Sequence, residues 1–148
     1  MLISKMKNDE CGEFLAHQSV GRLACARDSQ PYIVPIYFVY EPGHLYGFTT
    51  PGQKVDWMRV NPQVCVQADE VLNHDNWKSV VVLRRYEELS ETGEYSEDRN
   101  KVQSLLVRRT SWWVTAHAAS VARRHAEQAL PVFYRIQITD ITGLRASP

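Results

Sequence analysis

The sequence predicts a mainly β protein, an antiparallel barrel with helices packed outside it. Three observations carry that reading. Runs of β-branched and aromatic residues of strand length recur along the chain, and short turns rich in Pro, Gly, Asn and Asp separate them. No regular alternation of strand with long helix marks a parallel βαβ sheet.

The elements follow in order. Residues 8–18 place Cys11, Phe14 and Leu15 on one side of a short helix, with Asn8 or Asp9 as its N-cap. Gly21 releases the chain into an apolar strand over 23–26. A turn at Asp28-Ser29-Gln30-Pro31 leads to the run 32–40, apolar or aromatic on both faces, which reads as one strand with no water-facing side. Glu41-Pro42-Gly43-His44 turns it back into a hairpin partner at 45–48. Val55, Trp57, Met58 and Val60 then recur at helical spacing until Asn61-Pro62 stops them. Residues 64–68 form a further strand, and a long one starts at 78–83 and runs on to 89. A solvated loop from 90 to 100 enters a helix near 101–108. The stretch 111–130 opens with Trp112-Trp113 and continues as an Ala-rich, basic, helical piece. Residues 132–138 alternate as the last strand, ending at Thr142-Gly143. The expected organisation is one domain over 1–148: an N-terminal helix at about 8–18, a barrel at about 21–89 and 132–142, and a helical insertion at about 97–130.

Composition narrows the function classes. Lys and Arg total 17, Asp and Glu total 17, and the formal net charge is zero. No general field draws such a chain to nucleic acid or to an anionic membrane. The runs Arg108-Arg109 and Arg123-Arg124-His125 read as a solvated face or as partners for Glu87, Glu88 and Glu91. The three cysteines, Cys11, Cys25 and Cys65, lack CxxC spacing and read as small buried apolar residues, with neither a disulfide framework nor a zinc site. The histidines show no metal spacing. The N-terminus has no signal-peptide pattern and no segment has the length of a membrane span, so a cytoplasmic protein is expected.

Two features bear on a ligand. The first is the turn Thr49-Thr50-Pro51-Gly52-Gln53-Lys54 between a strand and a helix. Thr50 as N-cap with Pro51 at the first helical position exposes backbone N–H groups at the positive end of the helix, beside two hydroxyls and an ammonium. These residues alone fit a phosphate site, and they fit a well-capped helix carrying a surface lysine. The second is Pro35, inside an otherwise regular strand. Proline donates no ladder hydrogen bond, so that position belongs to an edge, a bulge or a ligand.

The ordered series Ser29-Gln30-Pro31-Tyr32-Ile33-Val34-Pro35, Leu45 through Lys54, Met58 through Cys65, and Trp77 through Val82 resembles the pyridoxamine 5′-phosphate oxidase-like flavoproteins, nearest the branch that includes the nitroimidazole-resistance proteins. The likeness runs from about residue 8 to residue 143. It implies a six-stranded antiparallel split barrel that forms a homodimer with FMN at the subunit interface. It places Ile33, Val34, Pro35 and Ile36 along the isoalloxazine ring, and Thr49, Thr50, Gly52, Gln53 and Lys54 around the phosphate. Ser79 would reach the flavin of the other subunit. The adjacent pair Trp112-Trp113 points in two directions, and it reads either as core packing or as packing by one indole with Trp112 as a candidate cover for the ring. Where this chain has Val34 and Val39, pyridoxamine phosphate oxidases carry basic residues. Where it has Phe48, nitroimidazole-resistance proteins often have histidine. The resemblance therefore implies an FMN-dependent oxidoreductase acting on a small molecule, without either of those specific reactions. The alternative is a non-catalytic flavin- or haem-binding protein, for which His117 or His125 would be a candidate axial ligand.

Overall fold

The structure is a computed structural model that describes residues 1–90, 96–109 and 131–148. Eight strands and three helices follow one another as β1 (Leu2–Met6), α1 (Asn8–Ala16), β2 (Val20–Arg27), β3 (Gln30–Tyr37), β4 (Val39–Glu41), β5 (His44–Thr49), α2 (Gln53–Val60), β6 (Gln63–Asn73), β7 (Asn76–Leu89), α3 (Ser96–Arg109) and β8 (Val132–Ser147). The strands form one antiparallel sheet in the order β3-β2-β6-β7-β8-β5-β4, with β1 paired to β8 outside that path. The sheet curls without closing, as expected for a split barrel, and brings β3 back alongside β5.

The difference from six strands has a physical cause at each point. Residues 32–40 do not form one strand. Val20 pairs with Tyr37 on one side of Phe38, and Val39 pairs with Tyr46 on the other. The run therefore supplies both ends of the open sheet, and the chain changes partner at Phe38, whose side chain is 2% exposed. Periodicity along the chain cannot register a change of partner. Strand β1 was not foreseen; its five residues pair register for register with 143–147 of β8, which extends that strand beyond Gly143. The β6–β7 hairpin is likewise longer than 64–68 and 78–89 suggest, meeting at a tip between Asn73 and Asn76. Lys7, not Asn8 or Asp9, occupies the N-cap of α1, and its helix ends at Ala16.

The core fills the inside of the curl. Leu23, Cys25, Val64, Val66, Ala68, Val80, Val82, Tyr134 and Ile136 alternate inward along their strands, and Cys11, Phe14 and Leu15 of α1 close one side. Helix α1 lies close to β8 because Gly143 offers no side chain: a Cβ there would stand 2.6 Å from Cys11 Sγ. A second cluster of Val39, Tyr46, Leu89, Phe133, Val102 and Leu106 seats α3 on the β4–β5 end. Lys101 to Glu41 at 2.7 Å and Arg135 to Asp98 at 3.1 Å border it. Glu87 pairs with Arg135 at 2.6 Å and Glu88 with Arg59 at 2.8 Å, while the side chains of Arg108 and Arg109 lie outside the described residues.

One core polar atom stands out. Tyr134 Oη is buried with no hydrogen-bond partner, pressed against Gly47, where a Cβ would meet it at 2.7 Å. Burial alone holds this phenol well above the ordinary tyrosine range. An unsatisfied buried hydroxyl costs about 1–3 kcal/mol. Tyr134→Phe is therefore expected to raise stability by about 1 kcal/mol. Chemical denaturation would show a higher midpoint at unchanged slope, and a lower one would mean that the hydroxyl has a partner in solution.

Candidate functional site

The hairpin β2–β3 turns at Asp28 and Ser29, both with positive φ (49° and 66°), the geometry of a type I′ turn. Its closing pair, Arg27 with Gln30, is a hydrogen-bonded one, and hydrogen-bonded pairs alternate from there. Pro31, Ile33, Pro35 and Tyr37 therefore turn their backbone groups away from β2. Among the described residues no strand lies beyond β3, so both prolines sit where no ladder N–H is required. Pro35 marks an edge. The strand is correspondingly wet on one side in the single chain: Ile33 is 65% exposed and Pro35 is exposed, while Tyr32 and Val34 are half-buried against the core and Ile36 is buried in it. The expectation of a strand with no water-facing side is thus overturned, because a sheet end has one neighbour instead of two.

Strand β5 ends at Thr49, and the chain turns into α2. Thr50 does not cap the helix and Pro51 is not its first residue. Gly52 is the N-cap, in extended backbone, with no side-chain cap hydrogen bond. Gly52 O accepts the Asp56 N–H at 3.1 Å. The N–H groups of the first turn are thus left without a side-chain acceptor, at the positive end of the helix. Thr49 Oγ1 donates to Thr50 O at 3.3 Å. Nothing lies within 4 Å of the place a Gly52 Cβ would take, so the backbone there is open to approach.

Lys54 is the decisive side chain of this turn. It is half-buried, and among the described residues no carboxylate lies within ion-pair distance of it. Burial lowers its pKa, and the only opposing influence is the nearby Cys25 thiol. Cys25 itself is pushed up by burial and drawn back by Lys54. Arg135 shows what a half-buried cation ordinarily has: two carboxylates. An unpaired, partly desolvated ammonium beside uncapped helix N–H groups is chemically suited to an anion. The donor set fits a phosphate.

Helix α2 is firmly held. Val55 and Met58 are buried, Trp57 meets Tyr32 of β3 with ring centroids 5.5 Å apart, and Arg59 chelates Glu88 through Nε at 2.8 Å and Nη2 at 3.3 Å. Asn61 Nδ2 donates to Ala26 O at 3.0 Å. These contacts hold α2, which follows the turn 49–54, against Tyr32 of β3, the strand that carries residues 33–36.

Ser79 lies elsewhere, on the outer face of β7. The ladder lays straight rows across this face. One row runs Ile33, Ala24, Cys65, Leu83 and Asp140; the next runs Pro35, Arg22, Gln67, Val81 and Thr142; a third holds Asp69, Ser79 and Leu144. Three strand spacings separate β7 from β3, about 14 Å. A shallow groove of 380 Å³ crosses the first row, lined by Ala24, Ala26, Pro31, Cys65 and Leu83. Cys11 and Cys25 are buried as expected, whereas Cys65 is half-exposed in this groove, because its register turns it outward. Trp112, Trp113, His117, His125 and Arg123-Arg124 lie outside the described residues. Among those described, no group of His, Cys, Asp or Glu could hold a metal ion, and no helix is long and apolar enough to cross a membrane.

A family model described as pyridoxamine 5′-phosphate oxidase matches residues 7–145. The chain belongs to the pyridoxamine 5′-phosphate oxidase-like family. Within that family it is similar to an uncharacterized protein of Rhizobium meliloti, 38% identical over 146 residues that cover 99% of this chain and 97% of that one. It is also similar to a FAD-binding protein of Mesorhizobium loti of known crystal structure, with 42% identity, a TM-score of 0.80, and 100% and 99% of the two chains covered. A candidate 5-nitroimidazole antibiotic resistance protein of Bacteroides thetaiotaomicron shares the fold at 16% identity and a TM-score of 0.63, over 98% of this chain and 89% of that one. The pyridoxamine 5′-phosphate oxidase-like fold is thus the scaffold on which the turn 49–54 and the edge of β3 are mounted.

Proposed function

We propose that this chain is a flavoprotein that works as a homodimer. The observation that carries the reading is Lys54, half-buried and without a carboxylate, at the open N-terminus of α2. The turn residues Thr49, Thr50, Gly52, Gln53 and Lys54 would hold the phosphate next to the flavin ribityl chain. Ile33, Val34, Pro35 and Ile36 would lie along the ring, offering the outward backbone groups of the β3 edge. FMN is the ligand these groups account for, since one ammonium and one helix N-terminus suit a single phosphate. FAD, bound by the Mesorhizobium loti relative, shares that phosphate and would need a further anchor for its adenylate half.

The dimer reading is supported by the outer face. Ile33 and Leu83 are exposed there, in one row with half-buried Ala24 and Cys65, and this apolar row, flanked by Val81 and Leu144 of the neighbouring rows, suits a second copy. That copy would also carry Ser79 to a flavin its own chain cannot reach. Bound flavin supplies hydride and single-electron chemistry, and the protein fixes the ring and leaves a face open. The activity we infer is electron or hydride transfer between a reduced nicotinamide or similar donor and a small acceptor.

The absorption spectrum of the purified protein tests this. The two visible bands of oxidised flavin are expected, and chromatography of the acid-released ligand separates FMN from FAD. A Soret band would replace the reading with haem, and failure to take up added FMN or FAD would end it. Sedimentation should give twice the chain mass, and anaerobic addition of NADH or NADPH should bleach the flavin bands.

A further inference from the structure

The outer sheet face carries a polar array that the phosphate turn does not use. Arg22 of β2 reaches Asp69 of β6, Nη1 to Oδ1 at 3.5 Å. Gln67 Nε2 donates to Asp69 Oδ2 at 2.9 Å and to Ser79 Oγ of β7 at 3.0 Å. The ladder sets Arg22 opposite Gln67 and Asp69 opposite Ser79, so the four side chains form one cluster over three strands.

Hydrogen-bond inventory fixes how this cluster presents itself. A carboxylate paired with a guanidinium only accepts, so the end of Gln67 that faces Asp69 is its NH2. Both hydrogens of that nitrogen are then used, one on Asp69 and one on Ser79. The carbonyl Oε1 is turned away, with no donor to it among the described residues. Ser79 Oγ already accepts, so its own hydrogen is free to donate. Gln67 and Ser79 therefore offer one acceptor and one donor side by side on a half-buried patch. That pair complements a ring N–H beside a ring C=O.

We propose that Gln67 and Ser79 recognise the imide edge of the flavin pyrimidine ring held by the second copy, Gln67 Oε1 accepting from the imide N–H and Ser79 donating to the neighbouring carbonyl. Arg22 and Asp69 are positioning residues: they select the amide orientation in which Gln67 accepts. The proposal rests on the flavin and dimer readings above. It adds the residues that distinguish an imide edge from a blocked one.

The test compares FMN with FMN methylated at the imide nitrogen, by quenching of flavin fluorescence on the protein. The native protein should bind the methylated analogue at least roughly tenfold more weakly, the loss of about one hydrogen bond plus a clash. Gln67→Met, similar in volume but without the acceptor, should bind the two within roughly twofold, because both now lack the bond and the flexible thioether chain yields to the added methyl group. Asp69→Asn frees the amide to turn over and should reduce the discrimination at unchanged dimer mass, which a merely structural role would not do. Ser79→Ala should weaken both ligands alike and keep the discrimination, and it decides the matter if Gln67→Met does not fold. Equal binding of FMN and its methylated form by the native protein overturns the proposal and leaves the flavin reading standing. Binding of neither overturns the flavin reading instead. Persistent discrimination in Gln67→Met assigns the imide to another residue and also overturns the proposal.

Discussion

Replacing Lys54 by methionine is expected to weaken flavin binding by about 1.5–3 kcal/mol, roughly 10- to 150-fold in Kd, while leaving the ligand-free protein as stable as before or slightly more so. The two effects have opposite signs for one reason. In the ligand-free chain the ammonium is partly desolvated and has no carboxylate within reach among the described residues, so its charge is a cost; against a phosphate the same charge strengthens the bond. The pH dependence follows. Lys54 titrates below its unfolded value, so its protonated form subtracts stability fully below the folded pKa, and the cost disappears above the unfolded one. Phosphate binding favours the protonated form, so affinity should fall as pH rises through the lowered pKa of Lys54, and Lys54→Met should lose that dependence. Fluorescence titration across alkaline pH, with thermal unfolding of the ligand-free variant, measures both. A variant that binds as tightly as the native chain would move the phosphate away from this turn.

Phe38→Ala is expected to cost about 3–5 kcal/mol, the range for emptying a fully buried aromatic site. Its unfolding midpoint should drop by on the order of 10 °C. The position magnifies the loss. Phe38 joins the two ends of the open sheet, its N–H donates to Ser19 O at 2.9 Å, and its ring packs where Gly21 makes room, 3.0 Å from the place a Cβ would take. This residue is the covalent link between the β2-paired half of the run and the β5-paired half. The β3 edge and the turn after β5, which together make the candidate site, depend on that link. Flavin affinity should therefore fall even at temperatures where the variant stays folded. Phe38→Leu, which retains most of the volume, should lose much less of both. If Phe38→Ala unfolds at the native midpoint, the ring does not plug the seam.

Much of the fold was legible because strand alternation and turn chemistry are local. The hairpin at Asp28-Ser29, the stop at Asn61-Pro62 and the inward alternation of Val64, Val66 and Ala68 all follow from neighbours in sequence. The turn 49–54 was legible as residue types, but its cap was misplaced by two residues, at Thr50 instead of Gly52. Capping preference ranks side chains, whereas the end of β5 and the seating of Val55 and Met58 decide where the helix begins. Strand β1 was missed because its apolar residues stay exposed (Leu2 at 66%, Ile3 at 51%) and only pairing with β8 makes it a strand. The array of Arg22, Gln67, Asp69 and Ser79 had one local signal, the outward alternation of Cys65, Gln67 and Asp69. Its partners are 47 and 12 residues away.

By itself the sequence determined the class of fold, the order of most elements and the chemistry held in the turn 49–54, since each of these depends on side-chain type and spacing within a few residues. Only the tertiary structure decided that Lys54 has no carboxylate partner among the described residues, that Pro35 marks a sheet edge, that Phe38 joins the two ends of the open sheet, and that Gln67 Nε2 donates to both Asp69 and Ser79. Those facts depend on which strands become neighbours. Neighbours are chosen by burial of the whole core, and no short stretch of chain contains that information.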